Sequence, residues 1–365
     1  MGELSGNDGR VRRSRRFACA YTWLFGKLTR PREERISSVV ISKESESAGG
    51  MLDVDAFKAT SRSWTPSQLM TLEELNRDRQ ESTFVTYGWT TPDTKFVHDN
   101  VEEIEKLLFN GISIFVARPR VPDGSVLSGA GRGDWGWEVF PNIPMTPDMI
   151  ELAIKDLQRE RFKKLRSNYI VIVSYWPEPP KTNFWLGDDL WDTIYNNADL
   201  VARVAREGGC EGIMFDPEEY GQIGFWTWSH VKPFPLFKDL SYEEVAAKAR
   251  IRGRHFMEAI NCSYPGVCIW ILQSWPLVLN AIGPSRERLP DASHSILLPF
   301  LDGMLEASDA QTTFIDGIGN GYFAESFTDF ISMGQDVWRN GPTLGTVPDI
   351  LSKNTGWGWD LFLWI

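Results

Sequence analysis

From residue 83 onward the chain alternates short, continuously apolar segments with longer amphipathic ones, and this alternation most limits its fold. Segments 83–89 (TFVTYGW), 111–117 (GISIFVA), 169–175 (YIVIVSY), 212–216 (GIMFD), 267–272 (VCIWIL) and 312–316 (TTFID) are rich in β-branched and aromatic residues. Such segments suit strands buried on both faces. Between them the spacing predicts helices over 99–108, 146–166, 189–207, 242–261 and 295–307. In the first, Val101, Ile104, Leu107 and Leu108 fall on one face. The second opens on Thr146 as cap with Pro147 at the first helical position, and the third stops at Gly208 and Gly209. No hairpin signal joins the strands, so they are expected to be parallel with right-handed crossovers.

A doubly wound open sheet and a barrel both satisfy that pattern. No GxGxxG follows the first strand, and polar and aromatic residues gather at nearly every strand's carboxyl end. Both features favour an α/β fold of the (β/α)8 TIM-barrel type. The strand count is short. After residue 316 there remain a helical stretch over 326–338 and one apolar run, 359–365 (WDLFLWI), as a seventh strand. Either the N-terminal 80 residues supply an eighth, with 37–41 as the candidate, or the barrel is incomplete at its C-terminus.

The chain therefore divides into an N-terminal extension, 1–80, expected to be poorly ordered, and a barrel domain, 81–365. The extension is Ser-rich, lacks sustained periodicity and sums to +3, leaving −14 of the total −11 for the rest. Its basic burst at Arg10, Arg12, Arg13, Arg15 and Arg16 precedes a short apolar run, 17–25. An export signal is built this way, but this run is short and leads into Lys27, Arg30 and Arg32. Localisation, cytoplasmic or exported, stays open on the sequence, as does the oligomeric state.

Composition removes several classes of function. The net charge of −11 disfavours nucleic acid as a partner, and no apolar stretch is long enough for a membrane span. Four cysteines without CxxC spacing and four histidines without HExxH disfavour a zinc site, so no metal or cofactor is expected. There is no GxSxG elbow, and the glycine-rich stretch 129–133 lacks the Lys-Ser/Thr ending of a P-loop. What is abundant is tryptophan: 16 of them, beside 21 Phe and 9 Tyr.

In a barrel, function gathers at the carboxyl ends of the strands. Those ends carry Tyr87 and Trp89; Arg118; Tyr175, Trp176 and Glu178; Asp216, Glu218, Glu219 and Tyr220; Gln273 and Trp275; Asp316 and Asn320. Rings that stack on pyranose faces, with acids and amides that bind hydroxyls, make a site for an oligo- or polysaccharide. The acidity of the barrel part disfavours polyanionic polysaccharides. Within 211–220 (EGIMFDPEEY), strand alternation puts Met214, Asp216 and Glu218 on one side and Phe215 on the other, provided the strand stays regular past Pro217. Crowded like charges raise one pKa, and a carboxyl kept protonated at neutral pH can protonate a leaving-group oxygen. Glu218 is the expected acid, Asp216 its modulator, and Asp316 a candidate second carboxylate that would otherwise cap a helix. Glu219 has the opposite parity. Trp226 and Trp228, in a Gly/Pro-rich loop, are candidate binding platforms that could equally pack beneath it. Trp270 reads as core, Asp302 and Glu306 as one helix face, and Arg252 and His255 as helix surface.

Residues 212–220 resemble the fourth-strand motif of the chitinase-type glycoside hydrolases, family 18, whose DGxDxDxE ends in the catalytic acid. On that likeness Asp216 stands at the last aspartate and Glu218 at the acid, while Glu211 and Met214 occupy the positions of the two other aspartates. The resemblance covers about ten residues and implies the wider (β/α)8 glycosidase superfamily better than that one family. The Trp-rich loops and 300–304 (FLDGM) also look like uncharacterised bacterial barrels related to glycosidases. The expectation is a barrel that hydrolyses a glycosidic bond; the alternative is a barrel that binds carbohydrate without cleaving it. A hydrolase of non-sugar substrates fits the same fold.

Overall fold

A computed structural model describes residues 20–25, 83–87, 91–107, 109–118, 139–140, 144–158, 162–176, 184–221, 224–274, 278, 286–317 and 355–363. Its strands are β1 (Ala20–Phe25), β2 (Thr83–Tyr87), β3 (Gly111–Ile114), β4 (Tyr169–Trp176), β5 (Gly212–Gly221), β6 (Cys268–Ile271), β7 (Thr313–Asp316) and β8 (Thr355–Leu363). The main helices are α1 (Thr94–Ile104), α2 (Pro147–Asp156), α3 (Asp188–Glu207), the single turn α4 (Trp228–Val231), α5 (Tyr242–Ser263) and α6 (Leu297–Ala307). The six strands expected from the sequence are β2 to β7, all parallel and joined in chain order. The apolar tail forms β8, parallel to β7.

The chain is thus an α/β fold with a parallel sheet flanked by helices, the greater part of an α/β barrel. The strands run in closed order from β1 to β8, but β1 is antiparallel to both its neighbours, β2 and β8, which a regular (β/α)8 barrel would not allow. The strand on the N-terminal side comes from within the apolar run 17–25; the segment 37–41 lies outside the described residues, as does the boundary at residue 80.

Strand parity separates two apolar layers. Val85, Phe115, Tyr169, Val171, Val173, Met214, Trp270 and Leu272 fill the barrel interior, and Trp270 is core as its mid-strand position implies. Ile170, Ile172, Ile213, Phe215, Ile269, Ile271 and Phe314 point outward into the helical layer. Much of that layer is aromatic: Phe140 stacks on Phe215, Trp226, Phe256 and Phe300 meet Phe215 edge-on or tilted, and Phe184, Trp185, Trp191 and Phe225 extend the cluster. The tryptophan richness of the chain is therefore spent in good part on packing.

Helix ends follow local chemistry. Ser241 and Glu244 form a capping box at the start of α5, and Asp188 and Asp189 begin α3 with Arg206 in its last turn. α1 starts earlier than 99 because the Asp93 carboxylate accepts the Phe96 N–H at 2.7 Å. α2 ends at Asp156 rather than 166. Beyond it Glu105 Oε1 accepts the N–H groups of Lys163, Lys164 and Leu165, which takes those donors out of a helical ladder. Thr146 occupies the cap position of α2 without a side-chain bond. Arg252 is not on the surface. It is buried between α3 and α5, with its guanidinium on Asp188 at 2.5 Å and 5.6 Å from the Trp191 ring centroid. His255 is exposed on α5, and Glu306 pairs with Arg250 and Arg254 on the helix surface.

Candidate active site

The site is built at the carboxyl end of β5. Asp216 has the parity of Met214, whose side chain lies in the interior cluster, so its carboxyl enters the barrel and is 1% exposed. The Tyr87 hydroxyl at the end of β2 donates to Asp216 Oδ2 at 2.6 Å, and the Glu218 N–H donates to Oδ1 at 2.9 Å. This second bond, from two residues ahead, is a local turn that makes the strand depart from regular pairing. Val173 pairs with Asp216 but Tyr175 pairs with Tyr220, so β5 uses four residues where β4 uses two. The proviso on Pro217 is therefore not met: a bulge of the kind that re-aims side chains at barrel rims interrupts the strand.

The bulge still leaves Glu218 beside Asp216. Gln273, just past β6, donates from Nε2 to Glu218 Oε1 at 2.7 Å. The Glu218 carbonyl accepts from Ser174 Oγ at 3.3 Å, and Ser174 Oγ accepts from the Trp226 indole N–H at 2.9 Å. Glu218 is partly exposed while Asp216 is enclosed.

Burial, and after it the negative charge of Glu218, push the Asp216 carboxyl up to about 8, against the opposing hydrogen bonds from Tyr87 and the Glu218 N–H. Asp216, the member expected to be the modulator, is thereby driven toward its protonated form. Such a pair can supply a proton to, and recover it from, a reacting oxygen.

Asp316 is buried at the end of β7 and accepts a hydrogen bond from Ser274. It has the parity of outward-facing Phe314 rather than of Asp216's interior neighbours. Its bond anchors the residue next to Gln273. Tyr87 and Tyr175 pack against the interior cluster from the mouth. Arg118 is partly buried beyond β3. Trp176, Glu219 and Tyr220 lie on β4 and β5, where their backbone alone is described; Trp89, Trp275 and Asn320 lie outside the described residues. Trp226 is fully buried and Trp228 nearly so, packed among the rings of the helical layer and against Tyr242. Neither presents a face to a ligand. They take the packing role that the loop position left open, because residues 224–228 fold back onto β4 and the start of α6 instead of spanning the mouth.

Tyr87 and Gln273 were visible as strand-end polar residues, and interior parity singles out Tyr87. Ser174 has outward parity and no local signal. Among the described residues no group of three His, Cys, Asp or Glu could hold a metal ion, and no helix is long and apolar enough to cross a membrane. Comparison with family models, with curated proteins and with solved structures gave no match.

Proposed function

We propose that this barrel hydrolyses a glycosidic bond, with Asp216 and Glu218 as its acid–base centre and an oligo- or polysaccharide as substrate. Glu218, the more accessible carboxyl, gives a proton to the leaving-group oxygen as the glycosidic C–O bond breaks, and a water adds its hydroxyl to the anomeric carbon while its proton returns to the carboxylate; the enclosed Asp216 sets the proton affinity of the pair. The observation that carries this reading is the enclosed Asp216 carboxyl, tied to the Glu218 N–H at 2.9 Å, beside the partly exposed Glu218 at the barrel mouth; burial and the Glu218 charge raise it, the electrostatic arrangement that glycoside cleavage uses. Tyr87 fixes the Asp216 oxygen and Gln273 orients Glu218, while Asp316 and Ser274 hold the segment that carries Gln273. Burial of Trp226 and Trp228 removes two rings on which a binding-only barrel would have relied.

The test is reducing-end release from a panel of neutral polysaccharides and aryl glycosides, with wild type, Glu218→Gln and Asp216→Asn. Release by wild type, reduced about 10²- to 10⁴-fold in Glu218→Gln, is the expected result. Release that is unchanged in Glu218→Gln, or absent from wild type on every substrate, overturns the reading.

A further inference from the structure

Between β4 and β5 the pairing slips at one point, between Val173 and Tyr175. Ser174 is the residue at that slip. It is fully buried, and its outward parity turns the hydroxyl away from the barrel axis toward the aromatic layer. There it accepts from the Trp226 indole at 2.9 Å and donates to the Glu218 carbonyl at 3.3 Å. Trp226 is itself locked, its ring 5.0 Å from that of Phe300 and 4.8 Å from that of Phe225. The Glu218 peptide is therefore held on both sides: its N–H by Asp216, its C=O by Ser174.

We propose that Ser174, oriented by the buried Trp226 indole, is the positioning residue that keeps Glu218 beside Asp216. A bulge has no ladder bonds of its own to fix it, and the single hydroxyl supplies the missing tie. The tryptophan that the sequence offered as a ligand platform acts instead through Ser174, one layer behind the reacting groups. The role of these two residues in turnover rests on the reading of Asp216 and Glu218 as the reacting acids; their role in placing the pair does not.

Among the described residues, Tyr87 from β2 and Glu218 from β5 are the titratable groups that act on Asp216. The β4 and β6 neighbours of the interior, Val173, Trp270 and Leu272, carry no charge. Removing the Ser174 hydroxyl frees the bulge, so Glu218 moves outward while its N–H bond to Asp216, local in sequence, persists. Asp216 then loses part of the charge repulsion that raises it and titrates at lower pH.

The experiment is an infrared pH titration of the full chain, following the Asp216 carboxyl band, which Asp216→Asn identifies by its loss. Ser174→Ala is expected to move that titration to lower pH. Trp226→Phe, which keeps a ring and removes the N–H, is expected to move it the same way by less, and carries the test should Ser174→Ala not fold. Thr312→Val is the control: this buried hydroxyl bonds to Asp309 Oδ1 at 2.9 Å just before β7, at the opposite end of the strands from the pair. Coincident titrations for wild type and both site variants, or an equal shift in Thr312→Val, overturn the proposal. If wild type cleaves glycosides, kcat should fall about tenfold in Ser174→Ala with KM little changed; an unchanged kcat also overturns it. If wild type cleaves nothing, the hydrolase reading fails, while the titrations still decide the positioning role.

Discussion

Asp216 places a demand on the molecule that its neighbours only partly meet. A carboxyl ordinarily titrates near 4, and here burial and the Glu218 charge push it up to about 8. Between those values the unfolded chain has released the proton and the folded chain has kept it. Stability therefore falls as pH rises through that window and levels off above it. Asp216→Asn removes this dependence, so at pH 8 the variant should be the more stable protein, by on the order of a few kcal/mol. Melting temperatures of the two proteins from pH 5 to 9 check this: the curves should diverge with rising pH, and parallel curves would show that Asp216 is not raised. A second residue-scale prediction concerns Arg252. Arg252→Met leaves the Trp185 carbonyl without the donor it has at 3.3 Å and should cost about 1–2 kcal/mol in urea unfolding. Asp188→Asn, at an exposed partner, should change little. Parity, a local property, placed Asp216 with Met214 inside the barrel from ten residues of sequence, while Glu218 stands beside Asp216 through a bulge that parity did not foresee. Ser174 carried no local signal, and Gln273, visible as a strand-end amide, had no readable partner, since what brings both to Glu218 is the pairing of β4 and β6 with β5. Arg252 was misread for a related reason. An arginine on an amphipathic helix is exposed by default, and only the facing Trp191 and Trp185 make a buried seat for it.

Elements pack here at unusually short range. A Cβ added at Gly253 on α5 would come within 1.9 Å of the Phe300 carbonyl oxygen on α6, and one at Gly303 on α6 within 1.9 Å of the Arg250 carbonyl oxygen on α5. The two helices meet backbone to backbone, each through the other's glycine. Gly253→Ala or Gly303→Ala must force them apart and should lower stability by about 1–3 kcal/mol or more, read as a lower urea midpoint. Because α6 carries Phe300, which packs on Trp226, either variant should also disturb near-ultraviolet tryptophan signals. The existence and type of these elements followed from periodicity, and most boundaries fell within a few residues. The exception, α2, ends at Asp156, and a glutamate more than fifty residues distant takes the N–H groups of Lys163, Lys164 and Leu165, so the expected helix cannot run on to 166, a contact no window of sequence contains.

At the scale of the whole molecule the unexpected feature is β1. The alternation of strand and helix was enough to predict a parallel sheet, and it said nothing of a strand inserted in the opposite sense, because that strand belongs to no βα repeat. Its pairing to β2 and β8 covers edges that would otherwise be open. Deleting residues 1–25 should leave both edges bare, and the shortened protein should self-associate; light scattering that shows a stable monomer with the wild-type melting temperature would contradict this.

The same pairing sets an order on biosynthesis. Ala20 lies opposite Leu363, so the first described strand to leave the ribosome bonds to the last. The parallel strands in between can associate as they emerge, each with a neighbour already made, whereas the final ring of hydrogen bonds must wait until β8 has emerged. Closure joins the described strands farthest apart in sequence and is thus the slowest contact to find. Until it forms, a nascent chain carries unpaired strand edges to which other chains can add.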